Sequence, residues 1–156
     1  MTVAARHQAQ SAARLYAVQA LFEMEAADAA LEEVRLVFET HRFGAVDADG
    51  TEWAEADRDL FRSLLDTAVD RQARLDQMTA DALPGTWPIA RIDPTLRALF
   101  RAAGAELLQA ETPPRVVIAE FTDIAGAFFP GGKEPGLVTA VLDRMARAAG
   151  ATPARD

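Results

Sequence analysis

A glycine-rich loop near the carboxyl end has the residue types of a phosphate-binding site. Gly131-Gly132-Lys133 could cradle a phosphate as a P-loop does, but that motif also needs a glycine at position 127 and a hydroxyl residue after the lysine. This chain has Ala127 and Glu134 at those positions, and no alternating strand pattern precedes the loop. We therefore reject a nucleotide site at this loop.

An acidic turn, Asp47-Ala48-Asp49-Gly50, has the residue types of a calcium-binding loop. In the EF-hand loop the invariant glycine takes the sixth position, and the first and twelfth side chains are ligands. With Gly50 as the sixth position, those two residues are Ala45 and Ala56, which offer no side-chain oxygen. The turn therefore does not meet the requirement for a calcium site.

The residues that most often carry catalysis or bind metals are few. The chain has no Cys, which excludes a thiolate nucleophile and a cysteine metal site. Its two histidines, His7 and His41, are too far apart in sequence to form a metal-spaced pair. Ser11 and Ser63 do not lie in a nucleophile elbow. We therefore expect a binding protein rather than an enzyme, with no metal and no cofactor.

Charge is unevenly distributed along the 156 residues. The net charge of −8 argues against a surface that binds nucleic acid throughout, because polyphosphate binding needs a positive footprint. Residues 1–22 nevertheless contain Arg6 and Arg14 and no acid, whereas residues 23–59 contain twelve acids and three bases. The asymmetry suggests two partners of opposite charge. Alternatively, the acids are the solvated faces of helices.

Three helices with clear start signals are predicted in the last third of the chain. Asp93, Thr112 and either Lys133 or Glu134 occupy N-cap positions, and a proline follows each at the first helical turn, where a missing N–H costs nothing. Apolar residues then recur at helical spacing, so the three stripes can bury one another as a bundle. The stripes are Leu96, Leu99, Phe100, Ala103 and Leu107; Val117, Phe121, Ile124, Ala125 and Phe128; and Val138, Val141, Leu142 and Met145.

The amino-terminal half is predicted to hold three further helices. The first runs from about residue 6 or 11 to residue 26, and Asp28 is expected to cap the second. A long third helix is predicted from about Glu52 to Leu83, and its length makes us expect a bend near residues 70–74.

The segment Pro84–Pro88 is the clearest interruption in the chain, because it holds both helix breakers and a large side chain, Trp87, that we expect to be a structural anchor. The sequence therefore predicts an all-α fold of two abutting three-helix subdomains. The expected boundaries are 1–83 for the first subdomain, 84–93 for the linker, 94–149 for the second subdomain and 150–156 for a tail.

No apolar run in the sequence is long enough to span a membrane. The amino terminus also lacks the apolar segment of a secretory signal. We therefore expect a cytoplasmic protein.

Two glutamates lie beside apolar stripes, where a charge is costly. Helical spacing places Glu120 on the flank of its stripe, and a carboxylate there must be paired or hydrogen-bonded. The nearest cations in sequence are Arg97, Arg101 and Arg115. We expect Glu120, and by the same reasoning Glu106, to be structural residues that fix helix packing. A ligand contact is the alternative.

Two adjacent aromatic residues, Phe128 and Phe129, lie at the end of the second of the three predicted carboxyl-terminal helices, beside the glycine loop. Neighbouring side chains on a helix point about 100° apart, so the core can readily bury only one of the two rings. We expect the other ring at the surface, where it can contact a partner or stack on a base.

These features occur in an order that resembles the NusB family of bacterial transcription antitermination factors. Ala17-Val18-Gln19-Ala20-Leu21-Phe22 resembles one signature of that family. The other is carried by Trp87, Arg91-Ile92, a Leu-Arg pair, Glu106-Leu107, a proline, Val-Ile-x-Glu120 and Val-Leu-Asp143. Together they cover most of the chain in the right order and spacing.

The resemblance implies an all-helical adapter that binds and does not catalyse. Family members pair with NusE, a small-subunit ribosomal protein, bind boxA-type single-stranded RNA in ribosomal RNA leaders, and help RNA polymerase to resist termination. We therefore expect NusE, boxA RNA and the RNA polymerase antitermination complex as partners of a monomer or homodimer. The alternative is a NusB-like protein–protein interaction module with little or no RNA binding of its own.

The resemblance also implies the contact residues. The expected RNA contacts are Arg6, His7, Gln10, Arg14 and Phe128; the expected NusE contacts are Phe22, Phe128, Lys133, Leu137 and Thr139; and Asp143 joins Trp87, Glu106 and Glu120 as structural.

Several positions depart from the family pattern. The family often has an arginine cluster in an amino-terminal arm, which corresponds here to Gln10-Ser11-Ala12-Ala13-Arg14. Only Arg14 of that cluster is kept, so we expect weak RNA binding by the isolated protein. We also expect Arg14→Ala to weaken that binding without lowering stability. Phe22 replaces a usual Tyr, and Ala119 and Thr139 replace asparagines, so a hydroxyl and two amides are absent from the expected contact surface.

Overall fold

The computed structural model of the chain describes residues 1–150, and the predicted tail lies, from residue 151 onward, outside the described residues. The described part is helical, without a β-strand, which confirms the all-α prediction. A π-helical turn at Phe38–Arg42 follows the second helix, and a 3₁₀ turn at Ile89–Arg91 precedes the fifth. The helices are α1 Val3–Ala27, α2 Leu31–Val37, α3 Arg58–Asp70, α4 Gln72–Ala82, α5 Pro94–Gln109, α6 Pro114–Phe128 and α7 Glu134–Ala148.

Helix α1 begins earlier than the sequence predicted, and its C-cap is Asp28, the residue that was expected to cap the start of the second helix. The Thr2 hydroxyl caps its start by accepting the Ala5 N–H at 3.0 Å. Asp28 ends α1 with a left-handed φ of 51°, which short polar residues tolerate better than most. The prediction that Asp28 caps α2 is therefore wrong, and Ala30 holds that position.

The predicted long helix begins later than Glu52, because Asp57 caps α3 by accepting the Leu60 N–H at 3.0 Å. The residues before it form a loop on α1. The Tyr16 hydroxyl donates to the Ala54 carbonyl at 2.6 Å, and the Asp57 N–H donates to the Ala9 carbonyl at 2.9 Å. The expected bend is confirmed between α3 and α4, where residue 71 leaves helical geometry at φ −110° and ψ 23°.

The carboxyl-terminal helices start close to their predicted caps. Asp93 accepts the Thr95 N–H at 2.7 Å, with a proline as the first residue of α5, as predicted. Helix α6 is the exception, since Pro113 takes its N-cap position and the Thr112 hydroxyl donates instead to Glu106 at 2.8 Å. Lys133 precedes α7 without a capping hydrogen bond from its side chain.

Helix α5 lies at the centre of the molecule and packs against α1, α3, α4, α6 and α7. Small residues make this close packing possible. A Cβ at Gly104 would lie 2.7 Å from Leu75 of α4 and 3.0 Å from Met145 of α7. The buried alanines of the same helix are Ala98, Ala102, Ala103 and Ala105.

The expected arrangement of two abutting three-helix units is confirmed. Helices α1–α3 surround an aromatic cluster, and α5–α7 form the second unit. Helix α4 packs on α5 and α7 although it precedes Pro84, so the subdomain boundaries themselves stay a prediction. No described helix is long and apolar enough to cross a membrane. The aromatic cluster consists of Tyr16, Phe38, Phe43, Trp53 and Phe61.

Candidate functional site

A buried ion-pair network joins α1 to α5 and α6. Arg14 donates through Nε and Nη2 to the two oxygens of Glu106, both at 2.8 Å, and through Nη1 to Glu120 at 3.0 Å. Arg14 is 3% exposed and Glu106 is 1% exposed. This finding corrects the expected role of Arg14, because its guanidinium is enclosed by two carboxylates and does not face solvent as a phosphate contact would.

The network holds Arg14 in its charged form. Burial alone lowers the pKa of Arg14, but its hydrogen bonds and Coulomb attraction to Glu106 and Glu120 outweigh burial and raise that pKa. One guanidinium therefore faces two carboxylates, so the network carries an excess of negative charge when both acids are ionised.

Glu120 has partners other than those nearest in sequence. It accepts the Ser11 hydroxyl at 2.6 Å in addition to Arg14, and His7 Nε2 lies 3.8 Å from its second oxygen. Two of the expected partners bind elsewhere: Arg97 pairs with Glu25, and Arg101 pairs with Asp76.

The expectation that Glu120 and Glu106 fix packing agrees with these contacts, but their shared cation was missed. Arg14 lies 92 residues from Glu106 in sequence, and no local pattern signals the pair.

A groove runs between α1 and α6 beside the network, and we call it the α1–α6 groove. Its volume is about 770 Å³. One wall is α1, the other is α6, and the loop before α3 closes one side. The lining residues are His7, Gln8, Ser11, Ala12, Leu15, Tyr16 and Gln19 of α1, Thr51, Glu52, Trp53 and Ala54 of the loop, and Glu120, Asp123, Ile124 and Ala127 of α6.

A second, smaller cavity of about 310 Å³ lies farther along α1, and we call it the aromatic hollow. Phe22 and Phe128, which the sequence assigned to partner contacts, both line it. Phe22 is 36% exposed, and Phe128 is half-buried against the core. The other lining residues are Val18, Gln19, Glu23, Arg42, Trp53 and Thr95.

The groove and the hollow adjoin each other because Gln19 and Trp53 line both. Helices α1 and α6 also run in the same direction, since Ser11 and Phe22 lie near Glu120 and Phe128 respectively. The two cavities therefore form one continuous surface along α1.

The remaining predicted contact residues line neither cavity. Arg6 and Lys133 are exposed, Gln10 is half-buried, and Leu137 packs partly on the core. Thr139 is exposed, lies 2.9 Å from the Thr122 hydroxyl, and donates to the Pro135 carbonyl.

Two residues assigned structural roles lie at the surface. Trp87, which the sequence predicted to be a structural anchor, is 47% exposed. The linker makes a turn here, with the Trp87 N–H donating to the Pro84 carbonyl at 2.8 Å. Asp143 pairs with Arg147 one helical turn away, at 3.1 Å.

Fold and surface together define an all-helical protein of two abutting helical units, with an open groove along its first helix. No group of His, Cys, Asp and Glu able to hold a metal occurs among the residues that the structure describes. A family model described as the NusB family matches residues 11–147. The chain belongs to the NusB family.

Individual relatives agree with that assignment. A transcription antitermination protein NusB from Brucella anthropi is 44% identical over 135 residues, which cover 86% of this chain and 79% of the relative. The structure of T. maritima NusB matches with a TM-score of 0.68 at 24% identity, covering 94% of this chain and 93% of that one.

A crystal structure of the antitermination factors NusB and NusE in complex with dsRNA also matches. Its TM-score is 0.69 at 22% identity, and the match covers 94% of this chain and 99% of that one. At these identities the two structural matches show the shared fold.

Proposed function

We propose that this chain is a cytoplasmic transcription antitermination factor without catalytic activity. It acts as a helical adapter that binds NusE and boxA-type RNA and so joins the RNA polymerase antitermination complex. Membership of the NusB family is the observation that carries this proposal. It is supported by the Brucella anthropi relative, which is named a transcription antitermination protein, and by the matched complex of NusB, NusE and RNA.

The NusE contact is proposed at the aromatic hollow and the neighbouring start of α7. Phe22 and Phe128 share the hollow, and a partially exposed aromatic pair is typical of the anchor positions in protein interfaces. Lys133, Leu137 and Thr139 extend the proposed contact along α7.

The RNA contact is proposed at the amino end of α1. With Arg14 buried, the exposed basic side chains there are Arg6 and His7, and Gln10 is half-buried. Few phosphate contacts mean low affinity and a shallow dependence on salt, so NusE supplies a large part of the affinity for RNA.

A second candidate function is a protein–protein module with little RNA binding of its own. The observation that favours it is the burial of Arg14. Arg6 is then the only exposed arginine among residues 1–22, all of which the structure describes.

Gel shifts with boxA RNA over a salt series separate the two functions. The adapter predicts weak binding by the chain alone, with a slope of log affinity against log salt shallower than about −2. It also predicts clearly tighter binding when NusE is present. RNA of the same length and scrambled sequence is the control. A boxA affinity that NusE leaves unchanged would favour the protein–protein module.

A further inference from the structure

The floor of the α1–α6 groove is apolar. Leu15 and Ala12 contribute to it from α1, and Ile124 and Ala127 contribute from α6. Ile124 is 9% exposed and Leu15 is partly buried against the core, so the floor is firmly packed from below. Such a floor favours an apolar side chain of a ligand over a hydrated phosphate.

The rim of the groove is acidic. Glu52, Glu120 and Asp123 line it. Among the lining residues, all within the described part of the chain, none is Lys or Arg, and His7 is the only basic side chain. Arg14 beneath the rim neutralises only one of the two carboxylates that it contacts. The groove therefore attracts a cationic ligand and repels a polyphosphate, although Arg6 lies close by on α1.

The length of the groove suits a short stretch of polypeptide. From His7 to Gln19 the wall extends for roughly 18 Å at the helical rise of about 1.5 Å per residue. An extended chain covers that distance in about five or six residues.

One buried group at the end of the groove has no hydrogen-bond partner among residues 1–150. Gln19 Oε1 is inaccessible and accepts no hydrogen bond from the residues that the structure describes. A buried acceptor of this kind is costly, and the backbone N–H of a bound peptide is a donor that can satisfy it after a small rotation of the side chain.

We propose that the α1–α6 groove binds a cationic segment of a protein partner, with an apolar residue on the floor and flanking Lys or Arg residues on the acidic rim. This inference rests on the adapter function proposed above, because it assigns the segment to NusE. A ribosomal protein must itself carry cationic surface to bind ribosomal RNA, which fits the charge of the rim. RNA then contacts the amino end of α1, where Arg6 lies outside the groove lining and His7 forms the end of the groove.

Charge reversal on the rim tests the proposal. The variant Glu52→Lys/Asp123→Lys changes two rim acids whose residues are exposed, so the fold should tolerate it. The control Glu33→Lys/Asp70→Lys makes the same change in net charge at exposed positions outside the groove. Dissociation constants for NusE and for boxA RNA are measured separately, with circular dichroism to verify folding.

The proposal predicts that the rim variant loses at least about tenfold in NusE affinity, while the control stays within about twofold of the wild-type chain. If the wild-type chain binds NusE and the rim variant binds it equally well, the groove proposal is overturned and the adapter function stands. If the wild-type chain fails to bind NusE, both the groove proposal and the adapter function are overturned.

A photo-crosslinker at Ala127, an exposed residue of the groove, gives an independent readout in a mixture of NusE and boxA RNA. The same group at Ala80 of α4 is the control. We expect crosslinks from position 127 to a Lys- or Arg-containing segment of NusE. Crosslinks to RNA instead would identify the groove as a nucleic-acid site and contradict the proposal.

Discussion

Arg14 and Glu106, 92 residues apart in sequence, form a buried bidentate ion pair in which both N–O distances are 2.8 Å. The pair fastens α1 to the central helix α5, and Glu120 extends it to α6. Arg14, which the sequence predicted to bind RNA, is thus part of the interior, and its substitution should affect stability.

Arg14→Ala should lower the free energy of unfolding by about 3–5 kcal/mol, because Glu106 is left buried without its cation. Urea denaturation measures the change. Arg6→Ala removes an exposed arginine from the same helix and should alter stability by no more than about 0.5 kcal/mol. Equal effects of the two variants would contradict the buried role of Arg14.

Arg6→Ala should weaken binding of boxA RNA and reduce the salt slope by about 0.7, the contribution of one phosphate contact on a single strand. Fluorescence anisotropy over a salt series, with NusE present, gives both quantities. Arg74→Ala, at an exposed position of α4, serves as the control and should change neither. A slope that Arg6→Ala leaves intact would place the phosphate contacts elsewhere.

Phe22→Ala should weaken NusE binding by about tenfold or more, because Phe22 shares the aromatic hollow with Phe128 and is exposed enough to act as an anchor. Isothermal titration calorimetry measures the affinity. Leu36→Ala removes another exposed apolar side chain, outside the hollow, and should have little effect. If both substitutions reduce affinity equally, the hollow is not the contact.

The pair between Glu25 and Arg97 should make stability depend on acid pH. The hydrogen bond from Arg97 lowers the pKa of Glu25 in the folded chain, despite partial burial. The contribution of this pair to the free energy of unfolding is therefore complete above the ordinary carboxyl pKa near 4.5. It is lost as the pH falls through the lowered pKa that Glu25 has in the folded chain.

Glu25→Gln should accordingly narrow the difference in unfolding free energy between pH 7 and about pH 3. Urea titrations at both pH values supply that difference, and Glu33→Gln at an exposed position of α2 is the control. If the Glu25→Gln variant and the wild-type chain show the same difference in unfolding free energy between the two pH values, the pair of Glu25 and Arg97 does not contribute to the pH dependence of stability.

Signals that act within one helical turn were readable from the sequence. Asp93 with the proline after it placed the start of α5, and the length of the third predicted helix indicated the break at residue 71. Contacts between residues far apart in sequence could not be predicted in this way. The late start of α3 depends on contacts of Ala54 and Asp57 with α1, which leave no local pattern.

The candidate surface was predictable to a similar extent. The family pattern placed Phe22 and Phe128 among the partner contacts, and both line one hollow. The pattern did not distinguish an exposed arginine from a buried one, since Arg14 occupies an arm position in sequence but an interior position in space.

The most direct test of the central claim is transcription through a terminator in a cell extract depleted of this protein. On a template with a boxA leader, depletion should raise the fraction of terminated transcripts, and adding back the purified chain should restore read-through. A template with a scrambled boxA element should respond to neither step. Equal termination on the boxA template with and without the chain would contradict its assignment as an antitermination factor.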